Sequence, residues 1–154
     1  MSKPQPQPQI FSGDLTDIDT TAKHALGTKT YDGDGNEYIY LQGVASTAAN
    51  DFVTYDEAFL TTRLVANAVG PVGVAMAATV ASTYGWYQIW GSASGATDAV
   101  ADNAVLYIDA TAGRVDDSAV TGDLVIGAIT RSTDASTNVA TVQLSYPYVT
   151  NTLG

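Results

Sequence analysis

The chain has no cysteine, one histidine and only six basic residues, and each scarcity removes a class of function. Without cysteine there are neither disulfides nor thiolate metal sites, so rigidity must come from packing, hydrogen bonding or association between chains. The absence leaves the redox compartment open. Six bases stand against sixteen acids, a formal net charge of −10, which argues against direct binding to nucleic acid, whose backbone is neutralised by cations. No apolar run reaches the length that a signal peptide or membrane span requires, so no membrane partner is expected. Leu, Lys and Glu, the usual residues of a solvent-facing helix, are also scarce. Ala, Thr, Ser, Val and Gly take their place, and that bias favours strands and turns. The 154 residues fit one domain, which at this size buries roughly 70% of its unfolded surface and needs no staple.

Residues 1–9 read Met-Ser-Lys-Pro-Gln-Pro-Gln-Pro-Gln. Proline at every second position fixes φ and removes backbone donors, which excludes a helix or a central strand and predicts an extended, polyproline-II-like arm. Nine residues at about 3.1 Å each reach about 28 Å, enough to cross onto a neighbouring subunit. Ile10 and Phe11 supply an apolar anchor at its end. Residues 14–24 show neither periodicity and read as an irregular lead-in, so residues 1–26 form an arm and lead-in and 27–154 a β domain.

Strand alternation begins at residue 28. Residues 28–31 and 37–41 flank Asp32-Gly33-Asp34-Gly35-Asn36, whose glycines supply the positive φ of a hairpin turn. In Glu37-Tyr38-Ile39-Tyr40-Leu41 the tyrosines share one face and Ile39 the other. Residues 52–55 and 72–76 read as strands, and 57–65 as a short strand or a helical turn. Tyr84-Gly85-Trp86-Tyr87-Gln88-Ile89-Trp90-Gly91 is the strongest strand, with Tyr84, Trp86, Gln88 and Trp90 on one face and Tyr87 and Ile89 on the other; it is expected at the centre. Residues 92–103 carry little to bury and read as a surface loop. Strands follow at 105–110, 124–130 and 138–146. Short strands separated by turns predict an all-β sandwich or barrel.

The inventory for catalysis is thin. His24 lies beside Lys23 with no carboxylate pattern near it, and a triad would need distant partners. The 32–37 run starts like a calcium loop, but Glu37 occupies the sixth place, where glycine is needed, and Gly43 the twelfth, where a bidentate acid is needed. A turn capped by its own Asp and Asn side chains is the expected state. Asp98, Asp102, Asp109, Asp116 and Asp117 include pairs for acid and base work on glycosides, in a chain too small to enclose a polysaccharide cleft easily. No metal and no cofactor are expected, and no enzyme activity. Trp86 and Trp90 suit a core, an interface or a sugar platform, since aromatic side chains dominate binding hot spots.

Three segments in order, the 84–91 strand, Ala104-Val105-Leu106-Tyr107, and Gly122-Asp123 followed by Ile126-Gly127-Ala128, resemble the head-decoration, or cement, proteins of tailed phages over about residues 27–149. The resemblance implies a small β-barrel or β-tulip-like domain with an extended N-terminal arm, placed on the outer surface of the mature capsid after synthesis in the host cytoplasm. It implies as partners the major capsid protein and further copies of the chain, a trimer before a dimer. On this reading Pro4, Gln5, Pro6, Gln7, Pro8, Gln9, Ile10 and Phe11 touch the shell, and Tyr38, Tyr40, Tyr84, Trp86 and Trp90 pack between protomers. A receptor- or glycan-binding module of a tail or fibre is the alternative.

Overall fold

Ten strands make up the regular structure of residues 13–152, the part of the chain that the computed structural model describes, and no helix occurs among them. β1 (Lys29–Tyr31) and β2 (Glu37–Gln42) form the expected hairpin, with Tyr31 opposite Glu37. β3 (Phe52–Tyr55), β4 (Thr61–Arg63) and β5 (Gly70–Ala75) form an antiparallel set in which β3 lies between the other two. β6 (Tyr84–Ala96) is the longest strand. β7 (Val105–Ile108), β8 (Val115–Asp116), β9 (Leu124–Thr130) and β10 (Val139–Val149) follow. The strand order is β1-β2-β6-β5-β10-β9-β7-β8, with every ladder antiparallel.

The sheet turns on a three-way junction. β5 pairs with β6 through Val74↔Gln88 and Ala75↔Tyr87, β6 pairs with β10 from Trp90↔Ser145 to Ala96↔Val139, and β10 pairs with β5 through Tyr148↔Pro71 and Val149↔Gly70. Three strands each antiparallel to the other two cannot lie in one flat layer, because two reversals of direction leave the third strand running with the first. The sheet must therefore bend where they meet. Bulges supply the bend: the β2–β6 register shifts between Glu37 and Tyr38, and the β10–β9 register between Leu144 and Tyr148.

The bend brings β3–β5 against β7–β10. Phe52, Leu64, Val72 and Val74 pack with Leu106, Ile108, Val115, Val125, Val142 and Leu144 in the main core, where each large side chain contributes about 1.5–3 kcal/mol by leaving water. Ile39, Leu41, Val53, Tyr87 and Ile89 form a second cluster. The all-β expectation holds, but closure into a barrel does not. The sheet path ends at β1 and β8 among the described residues, three and two residues long, and the core is filled by folding the sheet onto itself.

The stretch 92–103, expected as a loop, is strand through Ala96. Its small residues are needed for packing: a Cβ on Gly95 would stand 2.8 Å from the Phe52 ring and 3.0 Å from Val142 Cγ2. Space left by a glycine in one strand is occupied by the side chains of its neighbours.

The lead-in lies on the outer face of β2 and β6. Leu15 and Leu26 cover Tyr38, Tyr40 and Trp86. Asp19 exchanges two 2.8 Å backbone hydrogen bonds with Tyr84, and its carboxylate accepts the Tyr40 hydroxyl at 2.6 Å and the Lys23 ammonium at 2.7 Å. Burial disfavours the Asp19 charge, but Lys23 and Tyr40 outweigh it and hold the carboxyl below its ordinary value.

Candidate functional site: an exposed aromatic pair at the sheet bend

Where the lead-in stops covering β6, Trp90 comes to the surface, 40% exposed, beside Tyr146, 51% exposed. Their ring centroids are 4.9 Å apart and the planes are tilted by 41°. Alternation alone accounts for Trp90, which follows Trp86 and Gln88 along one face of β6. Tyr146 breaks alternation: Ser145 and Tyr146 are both exposed, after which Pro147 and Val149 are buried again.

Backbone geometry explains the break. Tyr146 has φ +48°, in the left-handed region that bulky side chains rarely enter. Pro147 brings no backbone donor to the ladder, so the strand bulges there. Opposite the bulge, Gly127 has φ +80°, and a Cβ on it would lie 2.7 Å from the Ser145 carbonyl oxygen. Only glycine admits this approach.

The tyrosine is held at its tip. Its hydroxyl donates to Glu37 Oε2 at 2.5 Å, and the Glu37 carboxylate, although 3% exposed as a residue, also has Lys29 Nζ 3.4 Å from Oε1. Lys29 Nζ lies 5.6 Å from the Tyr146 ring centroid, within cation–π range. The hydrogen bond to Glu37, then burial, then the negative charge of Glu37 push the Tyr146 phenol up to about 12.

Trp90 is braced from the other side. Gln88 Nε2 donates to the carbonyls of Trp90 at 3.1 Å and Ser92 at 3.0 Å. Asn36 Oδ1 accepts the Ser92 amide at 3.0 Å, and a Cβ on Gly91, which has φ +95°, would lie 2.0 Å from that same oxygen. Asn36 is fixed in turn by Asp32. The Asp32 carboxylate accepts the amides of Asp34 and Asn36, the Asn36 side-chain amide and the Tyr38 hydroxyl, all within 2.7–2.9 Å. Partial burial opposes its charge, yet these donors prevail and hold its pKa at about 2. The turn is thus capped by its own side chains, as expected.

Of the five residues expected to pack between protomers, Tyr38, Tyr40 and Trp86 are buried in their own chain, at 3%, 0% and 4% exposure. They are core residues, because the lead-in covers the face on which they lie. Tyr84 is half-buried and stacks on Tyr40 at 6.3 Å. Trp90 alone of the five is exposed. Pro4 to Phe11 lie outside the described residues.

His24 sits edge-on to Tyr40 at 5.1 Å and tilted against Trp86 at 5.3 Å, at the margin of the covered cluster. Asp116 has its pKa raised by desolvation first, then by Asp109, Asp117 and Asp98, against one amide bond from Ser118. Three of these four acids nevertheless cap loops: Asp109 accepts the Thr111 amide, Asp116 that of Ser118 and Asp117 that of Ala101. Among the described residues no group of three His, Cys, Asp or Glu is arranged to hold a metal ion.

Sequence reasoning missed Tyr146, Lys29 and Glu37. The signal was Pro147 inside an alternating run, which marks a bulge and hence a re-aimed neighbour. Compared with family models, curated proteins and solved structures, the chain finds no match in any of the three.

Proposed function

We propose that the chain is a capsid-decoration protein of the tailed-phage kind, which works by adhesion and without turnover. The observation that carries this reading is the Trp90–Tyr146 pair, two exposed aromatic rings fixed by a bulge, a buried carboxylate and a capped turn. Rigid aromatic side chains lose little entropy on contact and are enriched at the centres of protein interfaces. The three segments that carry the family resemblance fall on β6, on β7 and on β9 with its preceding turn. In this proposal the chain binds the major capsid protein on the outer surface of the mature head and associates with its own copies as a trimer in preference to a dimer. Pro4 to Phe11 provide the shell contact, and Trp90 is retained as the packing residue between chains. A protein that binds the assembled lattice and not its separated subunits stabilises the lattice by mass action.

The test is co-sedimentation with expanded capsid shells of the phage whose genome encodes the chain. Full-length protein is expected to saturate the shell, and protein lacking residues 1–11 to remain in the supernatant. Saturation by the shortened protein would remove the arm from the mechanism, and failure of the full-length protein to bind would end the proposal.

The polar rim of the aromatic pair, Asn36, Ser92 and Lys29, favours a second reading, a glycan-binding module of a tail or fibre, because sugars stack on aromatic faces and hydrogen-bond at their edges. Retention on a glycan array that is lost in Trp90→Ala would select it.

A further inference from the structure

The turn between β1 and β2 carries Asp32-Gly33 and Asp34-Gly35, the only two places in the sequence where glycine follows aspartate. That dipeptide has a chemistry of its own. Glycine has no side chain to shield its amide nitrogen and its backbone turns freely, so the nitrogen can attack the γ-carbon of the aspartate before it and close a five-membered ring. The two dipeptides adjoin within one turn, yet the fold leaves them in different states.

Asp32 is locked. Its Oδ1 accepts the amides of Asp34 and Asn36, and its Oδ2 accepts the Asn36 side-chain amide and the Tyr38 hydroxyl, all within 2.7–2.9 Å. Hydrogen bonds to an ionised acceptor are strong, and turning the γ-carbon onto the Gly33 nitrogen would break them. They also keep the carboxyl ionised well into acid, whereas ring closure consumes the protonated acid. Asp34 is free by comparison. It is exposed, and among the described residues its carboxylate accepts no hydrogen bond and pairs with no cation. Gly35 is exposed as well, its amide donates to no described residue, and nothing stands within 4 Å of the place a Cβ would take. Gly33 is equally open. Access to the glycine therefore does not separate the two dipeptides, and the bonds on Asp32 do. The Asp32 amide donates to the Asn36 carbonyl at 3.2 Å, which closes the turn and leaves 33–35 as a tip that can deform without unpairing the strands.

We propose that Asp34 is a site of spontaneous isomerisation to isoaspartate, and that the turn protects Asp32 from the same reaction. In the first step the Gly35 nitrogen bonds to Asp34 Cγ, and the carboxyl hydroxyl leaves with the amide proton as water. Water then opens the ring. Cleavage between the nitrogen and Cγ restores aspartate. Cleavage between the nitrogen and the α-carbonyl carbon leaves the main chain running through the former side chain and frees the α-carboxylate. The water lost in closing is regained in opening, so mass and charge are unchanged and no oxidant, reductant or partner is consumed. The product has one extra methylene in its main chain at the tip of the hairpin. Asn36, two residues on, accepts the Ser92 amide, so the lengthening falls on the segment that braces Trp90.

The reaction needs neither capsid nor ligand and is tested on the intact chain, incubated folded and, in parallel, unfolded in urea, at body temperature and mildly acidic pH. Isoaspartate is counted by enzymatic methylation of the freed α-carboxylate and located by electron-transfer fragmentation of the digested chain. In the folded protein it is expected to accumulate at position 34, and at position 32 at least about tenfold more slowly, since several bonds to a charged group must break first. In urea the two positions are expected to convert at comparable rates. Asp34→Glu should abolish the signal at 34, because glutamate would have to close a six-membered ring, and should leave the unfolded rate at 32 unchanged. Absence of isoaspartate at 34 in the folded chain, over a period in which the unfolded chain converts, would overturn the proposal. Equal folded rates at the two positions would overturn the protection of Asp32, as would a bias toward 34 that persists undiminished in urea.

Discussion

Tyr146 joins a backbone anomaly to a titratable contact, and its chemistry is accessible to direct measurement. Its phenol is held protonated to about 12 by the Glu37 hydrogen bond, above its ordinary value of 10.0. A group whose pKa is raised by folding stabilises the folded state below its unfolded pKa and loses that contribution as pH climbs through the folded one. The contact should therefore weaken between about pH 10 and 12. Ultraviolet titration is expected to find a tyrosine ionising near 12, and Glu37→Gln should return it toward 10. Asp32 behaves with the opposite sign: lowered from 3.8 to about 2, it stabilises above pH 4 and loses that effect as pH falls toward 2. Denaturant titrations should show native protein losing stability over that interval more steeply than Asp32→Asn. At neutral pH, Asp32→Ala is expected to cost about 1–3 kcal/mol, since it leaves donors on Asn36 and Tyr38 unsatisfied. The Asp32 turn was legible because side-chain capping is local in sequence. The Tyr146 contact was not, since Glu37 lies 109 residues away and no local pattern encodes a tertiary partner.

Among the elements, β6 shows where alternation is informative and where it fails. Its aromatic half was readable, because Tyr87 and Ile89 enter one cluster and Trp86 another, as a period of two requires. Its second half, Ser92 to Ala96, was read as a loop because small residues bury little of their own surface. The missing volume belongs to Phe52 and Val142, which approach Gly95 from other strands. Gly95→Val should overfill this site at a cost of about 1–3 kcal/mol, and Phe52→Ala should empty it at about 3–5 kcal/mol. Measured by urea unfolding, the double variant is expected to lose less than the sum, since each change relieves the other. Additive losses would show that the two residues do not share a space. Position within the sheet was likewise partly legible: the centrality of 84–91 is borne out by its ladders to β2, β5 and β10, while the bend that prevents barrel closure depends on pairings no single segment announces.

For the whole molecule, the junction of β5, β6 and β10 ties the aromatic clusters of the first half to the aliphatic core of the second. Unfolding should accordingly be a single transition. Fluorescence of Trp86, buried near the lead-in, and exchange of amide protons in β9 are expected to report the same midpoint, and separate midpoints would show two independently stable units.

β10 also has a place in time. It is the last of the described strands in chain order, yet it fills the gap between β5, β6 and β9, so this sheet cannot close while residues 139–149 are still inside the ribosome. Contacts between distant segments close slowly. Every nascent copy therefore spends its synthesis with adhesive strand edges unsealed, and a chain broken off before residue 139 is a candidate for proteolysis or clumping instead of a smaller native form.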